Sequence, residues 1–137
     1  MHLTRESDYA IRIVACLANS QQIIGAKTIA EHTDVTIRFS LKILHALVAA
    51  KIVKSFKGSN GGYKLAYDPA DVSLYDVIFA IEGEYNISRC LDRAFPCERN
   101  AESKCKVHNI FDEISVYVRQ QLLSVNFEAL TKQKTDD

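Results

Sequence analysis

No stretch of these 137 residues approaches the roughly 18 consecutive apolar residues that a membrane span requires. The opening MHLTRESDYA also lacks the basic-then-apolar pattern of a secretory signal, so the expected location is the cytoplasm, with no membrane partner. Nucleophile elbows, phosphate-cradling glycine loops and paired catalytic carboxylates are missing, which argues against an enzyme. There is no internal repeat, no low-complexity tract and no long linker. Cysteine is nearly absent outside one segment, because only Cys16 lies beyond the stretch from Cys90 to Cys105. Cytoplasmic thiols stay reduced, so clustered cysteines are expected to bind metal or to react rather than to form a disulfide framework.

What is present fits one or two compact units, with 47% hydrophobic and 25% charged residues. The net charge of zero conceals a division: residues 1–67 hold nine Lys/Arg and four Asp/Glu, and residues 68–137 hold eight and thirteen. A basic N-terminal half beside an acidic remainder hints at a nucleic-acid contact. Within the basic half, TRESDYAIRIVACLA sets Ala10, Ile13, Val14 and Leu17 at helical spacing behind Thr4, a good N-cap, with Glu6 and Asp8 in the first turn. Cys16 in this helix is read as a small buried hydrophobe.

The segment GAKTIAEHTDVTIRFSLKILHALVAAKIV predicts a short helix over about 28–32, a turn, and a longer helix over about 36–50. That is the outline of a helix-turn-helix. Phe39, Ile43, Leu44, Leu47 and Val48 form the expected apolar stripe, which leaves Arg38, Leu41, Lys42 and His45 on the opposite side. A leucine among basic residues suits a face that enters the major groove of double-stranded DNA, where cations meet guanine or phosphate and an aliphatic group meets a thymine methyl. Next, IVKSF and YKLAY alternate apolar with polar around KGSNGG and predict a β-hairpin whose tip offers Lys57, Ser59 and Asn60 to a phosphate backbone. The order of these elements is that of a winged helix-turn-helix over residues 1–67.

Residues 68–83 predict a connecting helix, with Ser73 as N-cap, Gly83 as stop, and Leu74, Val77, Ile78 and Ile81 on one side. A cysteine loop follows over 84–104. Over 105–130, Val107, Ile110, Phe111, Ile114, Val118, Leu122 and Val125 make an apolar stripe of about 30 Å, at 1.5 Å per residue. So small a domain has no room to bury it, and the expected cover is the same helix of a second copy in a homodimer. Residues 131–137 read as a flexible tail. The expected fold is therefore mainly α: a winged helix-turn-helix with a two-stranded β wing and a long C-terminal dimerisation helix.

Cys90, Cys97, Cys105 and His108 give the spacing C-x6-C-x7-C-x2-H, and Arg89, Arg93, Arg99, Lys104 and Lys106 stand nearby. Neighbouring cations favour the thiolate form that binds metal or meets oxidants. On a helix, i and i+3 share a face, so Cys105 and His108 can point at one site. Three readings stay open at this point: a structural Cys3His zinc site, an iron-sulfur cluster with one non-thiolate ligand, and a bare thiol switch.

The whole pattern, from LTRESDYAIR through IAEHTDV, KGSNGGYKL and SLYDVIFAIEG to the three cysteines and CKVHNIF, resembles the IscR/NsrR/RirA-type family of iron-sulfur, winged-helix bacterial transcriptional regulators. The resemblance implies a cytoplasmic homodimeric repressor on a pseudo-palindromic operator, holding a [2Fe-2S] or [4Fe-4S] cluster through Cys90, Cys97 and Cys105. His108 matches the histidine that completes the IscR-like site. Asp8 falls where NsrR-like members place a carboxylate that reaches the other subunit's cluster, which offers Asp8 of the partner subunit as an alternative fourth ligand. Leu41 stands where IscR-like members have an acidic residue, so a group that could accept from cytosine is gone.

Overall fold

The computed structural model describes residues 2–132. Helix α1 (Arg5–Ser20) begins at Thr4, whose hydroxyl oxygen accepts from the Ser7 amide at 3.2 Å, with Glu6 and Asp8 set against the positive end of the helix dipole. Its inward face is Ala10, Ile13, Val14 and Leu17, none more than 1% exposed. Two shorter helices pack on that face, α2 (Ala26–Thr33) and α3 (Ile37–Ala49). Asp34 makes the turn between them in the left-handed region, at φ 53°, and its amide donates to the Ala30 carbonyl. Thr36 then caps α3, and Ile29, Ile43, Leu44 and Leu47 join the α1 face in one apolar core.

The stripe expected on α3 needs one correction. Phe39 is 41% exposed, and its ring meets Tyr9 edge-on at a centroid distance of 5.9 Å. The buried position beside it is Ser40, a small residue that lets α3 approach its neighbours and whose hydroxyl reaches the Val35 carbonyl at 3.5 Å.

Strands β1 (Val53–Phe56) and β2 (Gly62–Leu65) pair antiparallel, with Val53 opposite Leu65 and Phe56 opposite Gly62. Val53 and Leu65 are buried and tie this wing to the core, while Lys54 and Lys64 stay exposed. The wing is also held from outside the hairpin, since the Ile24 amide donates to the Tyr63 carbonyl at 3.0 Å and the Tyr63 amide returns a bond at 2.8 Å.

Helix α4 (Leu74–Glu82) opens with a capping box: the Asp76 amide donates to the Ser73 hydroxyl at 3.1 Å, and the Ser73 amide donates to the Asp76 carboxylate at 2.8 Å. Gly83, at φ 80°, ends it. The stretch expected as one dimerisation helix over 105–130 is instead two helices, α5 (Lys106–Leu123) and α6 (Phe127–Lys132). The break is a return to the core: Leu74 donates to the Val125 carbonyl at 2.9 Å, Phe127 donates to the Val72 carbonyl at 3.0 Å, and the Phe127 ring is fully buried. Burial on that scale stabilises by roughly 1.5–3 kcal/mol and fixes α6 against α1. Thr131 and Lys132 belong to α6, and the rest of the tail expected at 131–137 lies outside the described residues.

Candidate nucleic-acid interface and cysteine loop

On α3 the structure places Arg38, Leu41, Lys42 and His45 together on the exposed side, opposite the buried Ile43, Leu44 and Leu47. Leu41 keeps 37% of its surface exposed. Lys42 is not free: its Nζ lies 2.5 Å from Oε1 of Glu6, in the first turn of α1. Lys57, Ser59 and Asn60 occupy the exposed tip of the wing. Tight backbone shapes that tip, because a Cβ on Gly61 would lie 2.2 Å from the Phe56 carbonyl oxygen. The exposed side of α3 and the wing tip are thus separate features on one apolar core.

The loop between α4 and α5 contains two 3-10 turns, Arg89–Leu91 and Glu102–Lys104, and is not the featureless segment its composition suggests. The Arg89 guanidinium lies 4.6 Å from the centre of the Phe95 ring, and the Cys97 amide donates to the Glu102 carboxylate at 2.9 Å. Cys90, Cys97 and Cys105 are free thiols, each half-buried, and the Cys90 sulfur lies 3.3 Å from the Ser88 hydroxyl. Cys105 is the N-cap of α5 and makes no side-chain capping bond, so it sits at the positive end of an 18-residue helix. His108 is one turn further on. Its Nδ1 is buried and has no hydrogen-bond partner among the described residues. The donors suit a metal centre in kind, yet among the described residues no three His, Cys, Asp or Glu side chains converge closely enough to hold an ion. Asp8 lies away on α1, paired with Arg12 at 2.6 Å.

Polar contacts stitch the entry to this loop to both neighbouring helices. Glu82, the last residue of α4, accepts from the Thr4 amide at 3.0 Å, from the Thr4 hydroxyl at 2.8 Å, and from the fully buried Ser7 hydroxyl. Burial alone would push the Glu82 carboxyl up, but the bonds from Ser7 and Thr4 outweigh it and hold the group below its ordinary value. On the other side, the Ile87 amide donates to the buried Ser115 hydroxyl at 2.9 Å, and Arg119 donates to the Tyr85 carbonyl at 2.9 Å and to the Asn86 side chain at 3.1 Å.

Beyond these anchors, α5 turns Phe111, Val118 and Leu122 partly inward and leaves Val107, Ile110, Ile114 and Tyr117 between 39% and 62% exposed in one row. The stripe expected to cover a partner is therefore divided between two faces.

The deciding comparison is a family model for Rrf2, described as an iron-dependent transcriptional regulator, which matches residues 3–133. The chain belongs to the Rrf2 family. It is 30% identical over 94 residues to the HTH-type transcriptional regulator NsrR of Bacillus subtilis, covering 67% of this chain and 64% of that one. In fold, the Rrf2 chain is similar to T. potens IscR, with a TM-score of 0.77 and 20% identity over 97% of this chain and 88% of the other. It is equally similar to CymR, the global cysteine regulator of B. subtilis, with a TM-score of 0.78 and 23% identity over 99% of each chain. This Rrf2 chain is accordingly a transcriptional regulator with a winged-helix fold, and no helix among its described residues is long and apolar enough to cross a membrane.

Sequence reasoning placed Glu6 only as a first-turn acid and did not single out Glu82, Ser115 or Arg119 of this Rrf2 chain, because the contacts of all four are with partners distant in sequence. It placed Cys16 in the core, whereas the structure leaves that thiol half-buried on a cleft of about 660 Å³ between α1 and α2. Desolvation pushes the Cys16 thiol up, away from the reactive thiolate.

Proposed function

We propose that this Rrf2 chain is a homodimeric repressor whose grip on a pseudo-palindromic operator is set by the state of its cysteine loop. In this reading residues 1–67 bind DNA, residues 68–83 connect, the loop over 84–104 senses, and α5 forms the dimer contact through Val107, Ile110, Ile114 and Tyr117. Two copies of α3 lie in successive major grooves, where Arg38, Leu41, Lys42 and His45 meet bases and phosphates, and the wing residues Lys57, Ser59 and Asn60 touch the flanking backbone. Cys90, Cys97 and Cys105 would hold an iron-sulfur cluster, with His108 or Asp8 of the partner subunit as the fourth ligand. When bound, such a cluster supplies a cross-link among the thiolates that responds to iron supply, oxidants or nitric oxide.

The observation that carries this reading is the donor set of the loop: three half-buried free thiols, the last of them the N-cap of α5, and an imidazole in the first turn of α5 whose buried Nδ1 lacks a partner among the described residues. It is supported by the iron-dependent description of the family model and by the likeness to NsrR and IscR. A specific observation favours a second reading. The thiols do not converge within one chain, and a similar fold, with a TM-score of 0.72, was solved as the oxidised form of Staphylococcus aureus CymR, so a thiol switch without metal is the alternative.

The test is an anaerobic DNA selection with protein loaded with iron and sulfide and with protein stripped by chelator. The proposal expects visible charge-transfer absorbance in the loaded form and different operator affinities for the two. A colourless protein carrying stoichiometric zinc, or equal affinities of both forms, refutes it; a response to oxidant alone selects the thiol switch.

A further inference from the structure

We infer that Glu82 is a positioning residue that transmits the state of the cysteine loop to the DNA-reading helix through the first turn of α1. This inference rests on the sensor reading of the loop and names the route by which that reading would operate.

The route is continuous in the structure. Residues 84–87, at the entry to the loop, are fastened to α5 by Ser115 and Arg119. Gly83, at φ 80° and with no atom within 4 Å of a notional Cβ, is a permissive joint between that segment and Glu82. Glu82 in turn gathers three donors, all from the first turn of α1: the Thr4 amide, the Thr4 hydroxyl and the Ser7 hydroxyl. Ser7 is fully buried, so its hydroxyl has no solvent to turn to if Glu82 withdraws. Between Thr4 and Ser7 stands Glu6, whose carboxylate holds the Lys42 ammonium at 2.5 Å.

Each link has a distinct physical effect. The three bonds to Glu82 fix where the α1 turn sits relative to the end of α4, and the turn fixes where Glu6 sits relative to α3. A DNA phosphate competes with Glu6 for Lys42, and Glu6 itself places a negative charge beside an anionic duplex. Holding the turn in its observed position therefore keeps Lys42 occupied on the protein. Displacing it releases Lys42 and withdraws the competing carboxylate. A loop that pulls on the segment after Gly83 biases that exchange from a distance, as a coupling between two sites requires.

The experiment measures operator affinity by fluorescence anisotropy, on a duplex selected by the wild-type protein, for dimer reconstituted anaerobically with ferrous iron and sulfide and for dimer stripped by chelator. The wild-type ratio of the two affinities should fall in the range of about 5–150-fold that is typical of coupled sites. Glu82→Ala should bring the ratio to within about twofold of unity, with visible absorbance per chain unchanged. Glu82→Gln keeps an amide oxygen for the same three donors and should restore the wild-type ratio. Glu6→Gln, on the surface and harmless to the core, should also collapse the ratio, by raising the affinity of the weaker form. A wild-type ratio of unity overturns the sensor reading, and the inference with it. A wild-type ratio that survives in Glu6→Gln or in a folded Glu82→Ala leaves the sensor reading standing and overturns the inference alone.

Discussion

Substituting Gly62→Ala tests whether the wing is positioned by the α1–α2 connection rather than by the hairpin itself. A Cβ at Gly62 would lie 2.4 Å from the Ile24 carbonyl oxygen, 2.6 Å from its carbon and 2.9 Å from the Gly25 nitrogen. All three are backbone atoms, so no flexible side chain can yield, and the positive φ of 155° adds strain for an L residue. The bridge between Ile24 and Tyr63 must open, with loss of its bonds at 3.0 and 2.8 Å. At about 0.5–1.5 kcal/mol net for each bond, the expected cost is about 1–3 kcal/mol. For a chain of this length that corresponds to a fall in Tm of roughly 4–12 °C. Urea unfolding should give the same free-energy loss with an unchanged slope, and DNA affinity should drop on every sequence with its base preference retained if, as proposed, the wing positions and does not read. The neighbouring Gly25→Ser is the control. Gly25 has no atom within 4 Å of a notional Cβ and caps α2 without a side-chain bond, so serine there should gain a few tenths of a kcal/mol. A Gly62→Ala protein as stable as wild type, or a Gly25→Ser protein as damaged as Gly62→Ala, would show that the bridge does not hold the wing.

The remaining expectations concern the reading face, the C-terminal return and acid stability. Lys57→Ala should weaken binding alike on all sequences and lower the slope of log affinity against log salt by about 0.9, whereas Arg38→Ala should change the selected sequence; an unchanged selection places base reading elsewhere. Phe127→Ala should cost about 3–5 kcal/mol in urea denaturation, as expected for emptying a fully buried aromatic site, and should release α6 from α1. The Glu82 carboxyl is held below its ordinary value, so its contribution to stability is in place above the unfolded-state pKa of about 4.3 and is lost as pH falls through the lower folded value. Glu82→Gln should lack that part of the acid destabilisation, and identical pH dependence of Tm in both proteins would refute the assignment.

The legible parts of this fold are those set by neighbours in sequence. Thr4 and Ser73 could be read as caps because each caps an amide three residues ahead, and the Arg38–His45 face follows from helical periodicity alone. Hydrophobicity alone misplaces Phe39 because it cannot tell an inward position from one where an aromatic pair covers the surface, and the inward place is held by Ser40, whose hydroxyl reaches the Val35 carbonyl. The break between α5 and α6 escaped because the apolar period runs on through Leu122 and Val125, while the stop is imposed by pairing with Val72 and Leu74, some 50 residues earlier. Glu82 was invisible for the same reason, since its donors lie 75 and 78 residues away. In the loop, the donor types can be read from sequence and their separation in space cannot.

That separation bears on which role the loop can perform. A structural zinc site is closed, with four ligands already at bonding distance, and its contribution is to hold one conformation. Here no three such donors converge among the described residues, where His108 also carries a buried Nδ1 without a partner, an arrangement that costs about 1–3 kcal/mol until something satisfies it. Gathering the donors would therefore require the loop to rearrange, either around a ligand or toward a second chain, and in that case ligand binding and loop conformation share one free energy. Only a site of this kind can report on its own occupancy, because a ligand shifts a conformational equilibrium by no more than its differential affinity for the two forms. In the proposed sensor reading, a loop that moves when filled, tied through Gly83 to Glu82 at its entry and to α5 on its far side, would answer that requirement, whereas a preformed cage on the same scaffold would bind more tightly and signal nothing.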